Sequence, residues 1–415
     1  MPRPAAVYSI ADPIRSVYVQ RLGRLIRLAV LGAALLLGAT CAATTSHSAP
    51  KAPEGFETKA KHAVLMQAGE NLVLYEKDPD TLVPPASMSK LMTLAVVFRE
   101  LKAGRLKLDD QFKVSEHAWR TGGAPSGTSA MFAPLNTNVS ISDLIQGVTV
   151  QSGNDAAIIL AEGVSGSEEA FAQEMTKYAR ELGLEKATFK NATGLAADGH
   201  LMTARELGIL ARHLIYDYPE YYPYFGQKEF RYREKFTFRN RNPLIGDEGV
   251  DGLKTGFIKE SGYGLVASAK RGDQRLIVVV AGLDNEKGRA NEARRLLDWG
   301  FRSFKSFRLF DEGQKVSDAL VWGGTEHYVP LVGDGDINIL LPSTASGKVS
   351  ASVVYNGPIK APIKKGDQVA TLRVTSAESS ATNDIPLYAG DHIGRSNFAM
   401  RGLDSLLVLA FGWLL

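Results

Sequence analysis

The chain has 415 residues, room for two or three domains, and its 45% hydrophobic and 22% charged content is that of a globular protein with a sizeable core. A formal net charge of +3, with no dense Lys/Arg block interleaved with aromatics, leaves no electrostatic footprint for nucleic acid, so none is expected as a partner. The single cysteine excludes a disulfide framework and a cysteine-based metal site.

Near the start, Arg21, Arg24 and Arg27 precede an apolar run from Leu28 to Ala39 and then the small residues of TCAATT. That order reads as a secretory signal over residues 1–43, so the protein is expected to be exported. A retained anchor is the alternative, but the run is short for a span of about 20 residues. Cys41 falls in the cleavage region, with Gly38 and Thr40 where a lipidation site wants Leu and a small residue, which argues against lipidation. Residues 44–56 are mostly small or polar, with two prolines, and read as a linker.

The stretch AVLMQAGENLVLYEKD then predicts two short strands around a turn. Pro84 and Pro85 stop anything helical before them, and Ser87 to Ala103 is the first strong helix. Ile141–Val150 and Asn154–Val164 form a helix pair broken at QSGN; Ser167–Leu182 and Thr203–Tyr216 are further helices. From Lys228 the pattern turns to strands: KEFRYREKFTF, GLKTGFI, YGLVASAKR and RLIVVVAGL, closed by a helix from Arg289 to Phe304. Helices between an N-terminal strand pair and a C-terminal strand set predict one α/β domain over 57–305, its sheet covered by helices. Beyond it, short strands split by Gly, Asp and Pro predict a small all-β domain over 306–393.

Residues 394–415 read as a helix that ends wholly apolar. Asn397, Arg401 and Asp404 fall near one helical face, with Phe398, Leu403, Leu406 and Leu407 on the other side. Ten apolar residues of helix rise about 15 Å, half the hydrocarbon core, so the segment is too short to span and suits a helix lying in a membrane surface.

Chemistry enters at Ser87 and Lys90. Residues three apart share a helix face. A serine hydroxyl needs a base, and a lysine can be that base once burial or a neighbouring cation lowers its pKa. The Ser87 N–H, near a helix start, is a free donor able to stabilise an oxyanion. Alone, Ser-x-x-Lys reads more readily as an N-cap serine beside a solvated lysine. Two further short motifs follow: Ser152-Gly153-Asn154 at the helix break, and Lys254-Thr255-Gly256 at a strand start.

In this order and at these separations the three motifs resemble those of the penicillin-binding protein and serine β-lactamase superfamily. Gly153 stands where the wider family has Asp; Ser-Gly-Asn is the form of the low-molecular-mass D-alanyl-D-alanine carboxypeptidases. NRNPLI, GVDGLKTG, SGYGLVASAKR and KGRANEARRLLDWGF extend the resemblance, and the β-rich domain and apolar C-terminal helix match the membrane-attached members. The resemblance implies an α/β catalytic domain with an antiparallel sheet covered by helices, acting on peptidoglycan stem peptides and acylated by β-lactam antibiotics. It implies Ser87 as nucleophile, Lys90 as base and Ser152 as proton carrier to the leaving amine. Asn154 would hold Lys90 and the substrate amide; Lys254 would add positive potential. Thr255, in Lys254-Thr255-Gly256, and Arg289 would bind the terminal carboxylate, with Arg241 in support. The Ser87 and Phe257 N–H groups would form the oxyanion hole. No metal or cofactor is implied. The place implied is the periplasmic face of the cytoplasmic membrane. His200 and Glu206 are expected as a surface-loop histidine and a helix N-terminal glutamate, without a catalytic part.

A class A-like β-lactamase would share the three motifs but needs a deacylating glutamate, and no Glu-x-x-Leu-Asn loop lies between Asn154 and Lys254. There is no Gly-x-Ser-x-Gly for an α/β-hydrolase and no His-Glu-x-x-His for a metalloprotease. A non-enzymatic wall-binding protein is the remaining alternative.

Overall fold

The computed structural model describes residues 56–69, 72–343, 349–376, 382–398 and 401–402. The expected signal segment, all of the linker but Phe56, and residues 403–415 of the expected C-terminal helix lie outside the described residues. The described chain divides into an N-terminal unit that ends at Lys305 and a C-terminal unit from Ser306. Phe56, expected as the end of the linker, belongs to the first unit: its ring packs on Tyr75 and Trp299.

In chain order the N-terminal unit contains β1 (His62–Gln67), β2 (Leu72–Lys77), α1 (Lys90–Lys102), β3 (Gln111–Lys113), β4 (Asn138–Ser140), α2 (Ile141–Thr149), α3 (Asn154–Ser165), α4 (Glu168–Glu181) and α5 (Ala204–Tyr216). There follow β5 (Glu229–Tyr232), β6 (Phe236–Arg239), β7 (Val250–Ile258), β8 (Gly262–Arg271), β9 (Gln274–Leu283) and α6 (Glu286–Ser303). Side-chain caps mark many of the helix starts. Ser140, Ser167 and Asn285 each accept from a backbone N–H of the first turn, and Thr203 with Glu206 forms a full capping box.

The main sheet has the order β2-β1-β9-β8-β7, with every pairing antiparallel. Strand side chains alternate between faces, and here both faces are covered. Val64, Met66 and Val279 lie against Gly208 of α5, while Leu65 and Leu276 lie against Gly300 of α6. Burial on both sides explains why RLIVVVAGL is apolar almost throughout rather than alternating. α1 runs through the middle of the helical layer, with all its residues from Lys90 to Phe98 buried.

The expected helix from Ser87 begins differently. Ala86 has φ 51°, Ala86–Ser89 forms a 3-10 turn, and the α-helix starts only at Lys90. In a 3-10 turn residues i and i+3 are eclipsed, so Ser87 and Lys90 still face the same way.

The C-terminal unit is all β, with a core of its own around Val329, Leu331, Leu372 and Leu387. Its strands are β10 (Phe304–Phe310), β11 (Ser317–Trp322), β12 (Tyr328–Val332), β13 (Ile337–Pro342), β14 (Val349–Val354), β15 (Ile359–Lys360), β16 (Gln368–Ser376) and β17 (Thr382–Ala389). They form a six-stranded sheet, β14-β16-β17-β12-β11-β15, and a pair, β10-β13. Arg395 and Ser396 still pair with Gly324 and Gly323, so the β structure runs slightly past the expected boundary at 393.

Candidate active site

Three elements bring the motifs together: the 3-10 turn before α1, the break between α2 and α3, and the middle of β7. Lys90 is the hub. It is fully buried, and its Nζ lies 3.0 Å from Ser87 Oγ and 2.7 Å from Asn154 Oδ1, with the Thr193 carbonyl as third partner. Two of these oxygens can only accept; the serine hydroxyl can also donate. A neutral amine therefore satisfies the set by donating to Asn154 and Thr193 and turning its lone pair to Ser87. Burial pushes the Lys90 pKa down to about 7, while the Glu168 and Asp155 carboxylates pull the other way.

Ser152 has φ 63°, the left-handed region, held by the sharp break between the two helices. Its Oγ accepts from Lys254 Nζ at 2.8 Å, and Lys254 also donates to the Thr255 carbonyl at 3.1 Å. Burial first, and then the neighbouring Lys90, Arg241 and Arg289 charges, hold the Lys254 pKa well below its usual range. Each ammonium disfavours the other, so the pair does not carry two protons readily.

The structure accounts for Gly153. A Cβ there would lie 2.9 Å from Asp155 Oδ1 and 3.1 Å from the Met131 N–H nitrogen. Asp155 is buried and spans the loop, accepting from Met131 N at 2.9 Å and Ala133 N at 3.1 Å. A side chain at 153 would displace it. Asn154 is committed too: its N donates to the Ser129 carbonyl at 2.7 Å and its Nδ2 to Thr128 Oγ1 at 2.9 Å. One amide hydrogen is left for a ligand.

Gly256, read as part of the substrate site, is first a spacer. A Cβ would meet the Pro85 carbonyl at 3.0 Å and Ala86 Cβ at 3.2 Å, so its absence lets β7 close on the Ser87 turn. Motif three lies in mid-strand rather than at the expected strand start. Phe257 follows on β7; its ring is half exposed and stacks on Tyr263 at 4.1 Å between centroids. Thr255 is buried. Arg289, also buried, donates from Nη1 to the Gly256 carbonyl at 3.5 Å and pairs through Nη2 with Glu286 at 2.9 Å. Arg241 is exposed and tied to motif two: its N donates to the Val150 carbonyl and its Nε to Gln151 Oε1.

Three contributors carry no signal in the sequence reading. Thr193 acts through its carbonyl, and Asn191 shapes that turn by accepting from Thr193 N, Thr193 Oγ1 and Gly194 N. Glu168, in the first turn of α4, carries a charge that acts on Lys90. His200 corrects an expectation. It is 2% exposed rather than a surface-loop residue, and burial with the Lys90 and Lys190 charges lowers its pKa to about 4. Glu206 is the expected N-terminal helix residue, at N3 of α5.

Comparison with known proteins places this geometry. The family model for D-alanyl-D-alanine carboxypeptidase matches residues 44–285, and that for the penicillin-binding protein 5 C-terminal domain matches 304–395. D-alanyl-D-alanine carboxypeptidase DacC of Escherichia coli is 37% identical over 375 residues, 89% of this chain and 93% of that one. The crystal structure of penicillin binding protein 5 from Haemophilus influenzae has a TM-score of 0.74 at 34% identity, covering 82% of this chain and 99% of that one. Penicillin-binding protein D2 of Listeria monocytogenes, in its cefotaxime-bound form, has a TM-score of 0.52 at 29% identity, covering 60% of this chain and all of that one. The chain belongs to the D-alanyl-D-alanine carboxypeptidase family, as a serine peptidase of the penicillin-binding type.

Proposed function

We propose that this chain removes the terminal D-alanine from peptidoglycan stem pentapeptides through an acyl-enzyme on Ser87. Ser87 Oγ attacks the carbonyl of the penultimate D-alanine as its proton passes to neutral Lys90. The new oxyanion is held by the backbone N–H groups of Ser87 and Phe257. When the C–N bond breaks, Ser152, hydrogen-bonded to Lys254, delivers a proton to the leaving amine. Water then hydrolyses the ester and restores Ser87. Asn154 orients Lys90 and offers its free amide hydrogen to the substrate backbone. Thr255 and Arg289 receive the terminal carboxylate, Glu286 giving way to it; Lys254 supplies positive potential and Arg241 steadies the motif-two turn. β-Lactams enter the same path and stop at the acyl stage.

The observation that carries this reading is the buried Lys90 amine with two obligate acceptors and one serine hydroxyl around it. Mass spectrometry after brief penicillin exposure tests it. The adduct should map to Ser87, and Ser87→Ala should abolish both the adduct and D-alanine release. An adduct on Ser89 or Ser152 would sink the assignment, and rapid penicillin turnover would return the β-lactamase reading.

We infer further that the mature protein lies outside the cytoplasmic membrane, exported by residues 1–43 and held at the membrane surface by the C-terminal helix. The sequence pattern supports this. Since Arg395 and Ser396 are tied to Gly324 and Gly323, the informative cut is after Gly402. That truncated chain should leave the membrane fraction with penicillin binding intact; continued sedimentation would put the anchor elsewhere.

A further inference from the structure

Beside the catalytic centre the same loop builds a second concavity. A cavity of about 260 Å³ is lined by Trp119, Phe132 and Phe236, with Arg233 and Lys235 at the tip of the β5–β6 hairpin. Two consecutive residues of α3 connect it to the centre. Asn154 holds Thr128 and Ser129, and Asp155 holds the N–H groups on either side of Phe132. This double clamp sets Phe132 at φ 64° with its ring 38% exposed, 5.2 Å from Phe236. A large apolar ring held partly in solvent from a left-handed backbone, with only the Phe236 and Phe238 rings against it, is a cost the fold carries for a small packing return.

The hairpin repeats the pattern. Arg233 and Glu234 have φ 52° and 54°, a tight turn that usually takes Asn and Gly. Arg233 and Lys235 are exposed, and no ion pair among the described residues includes either. Three aromatic side chains, the Arg233 guanidinium and the Lys235 ammonium, which lies over the Phe236 ring at 5.5 Å, match a ligand that carries an apolar ring face and a carboxylate.

We propose that this cavity binds the saccharide end of the wall substrate: a sugar ring against the aromatic faces, with a carboxylate of the adjoining stem on Arg233 and Lys235. The reach is permitted: Phe132 can lie no farther than about 14 Å from Thr128, which Asn154 holds, and the four stem residues before the scissile bond extend about 13 Å. The proposal rests on the peptide cleavage proposed above and adds recognition of the glycan to it.

The test uses the full chain and three substrates with the same D-alanyl-D-alanine end: a disaccharide pentapeptide, the sugar-free pentapeptide and a diacylated tripeptide. The variants are Phe132→Gly and the pair Arg233→Gly with Lys235→Gln. Glycine suits the left-handed backbone at 132 and 233, so the changes remove a ring or a charge while relieving strain. Both variants should lower kcat/KM on the disaccharide pentapeptide about tenfold, through KM, and leave the tripeptide unchanged. An equal fall on all three substrates would overturn the proposal, because the loop would then only support the centre. The charge pair should lower both pentapeptides, which share the stem carboxylate, whereas Phe132→Gly should lower only the one with the sugar; an equal fall of Phe132→Gly on the two pentapeptides would overturn the proposal in favour of a peptide site, and no fall on any substrate would overturn it outright. Absence of D-alanine release by the wild type on every substrate would instead sink the peptidase reading. The pocket is then judged by calorimetry with the disaccharide tetrapeptide: binding lost in Phe132→Gly upholds it, and no binding to the wild type ends it.

Discussion

At Lys90, buried charge and catalysis meet in one titration. The active form is the neutral amine, so activity should rise with pH through about 7, by about tenfold per unit on the acid side. Glu168 favours the ammonium. Removing its charge lowers the lysine pKa further, so Glu168→Gln should move the acid limb of the acylation profile to lower pH and raise the rate measured at pH 6. A limb that stays or moves up would show that the carboxylate is not coupled to the base. Lys90→Arg keeps the charge but cannot release a proton near neutrality, and acylation should fall by at least about a hundredfold. Stopped-flow acylation by a chromogenic β-lactam measures all three. Gly153→Asp is a steric test. It would crowd Asp155 and add a buried charge beside it, destabilising the protein by about 1–3 kcal/mol. Thermal unfolding checks this, and Asp155→Asn in the same chain should recover part of the loss.

Among the elements, Glu206 ties the start of α5 to the loop before it. Its Oε2 accepts from Thr203 N and Oγ1, and its Oε1 from Lys186 N and Ala187 N. Losing the cap and leaving two loop donors unpaired should make Glu206→Ala cost about 3 kcal/mol, read as a lower midpoint in urea at constant slope. A cost below about 1 kcal/mol would mean the loop finds other partners. This element was legible in advance: Thr203 and Glu206 are a cap pattern at the right spacing, and Ser167 before two glutamates is another. The three motifs were legible for a similar reason, since each acts through side chains in short fixed strings. What escaped the reading acts through backbone or through distant charge. Thr193 contributes a carbonyl, which any residue carries, and Glu168 reaches Lys90 only after α4 packs beside α1. His200 looked like a loop residue because Asp198 and Gly199 precede it, yet Phe189 covers its ring edge-on at 5.6 Å. The 3-10 start at Ala86 was hidden by helix-forming residues that follow two prolines.

The whole molecule divides where the texture of the sequence changes, at about residue 306, and each unit has its own apolar core. A chain ended at Lys305 should therefore fold and acylate with penicillin at the rate of the full chain. Slow or absent acylation by that fragment, with normal circular dichroism, would show that the β unit shapes the centre.

The order of the main sheet has a consequence for how the enzyme comes into being. β1 is completed on one side by β9, with His62 opposite Ala281, so the first strand made waits for the last. Closing so long a loop is entropically slow, and the pairing cannot begin until β9 has emerged from the ribosome. Ser87 and Lys90 are synthesised early, but the strand bearing Lys254 and the partner that seats β1 arrive late. For most of its translation the nascent chain thus holds a nucleophile and a base without a centre, an open thread with no hydrolytic competence.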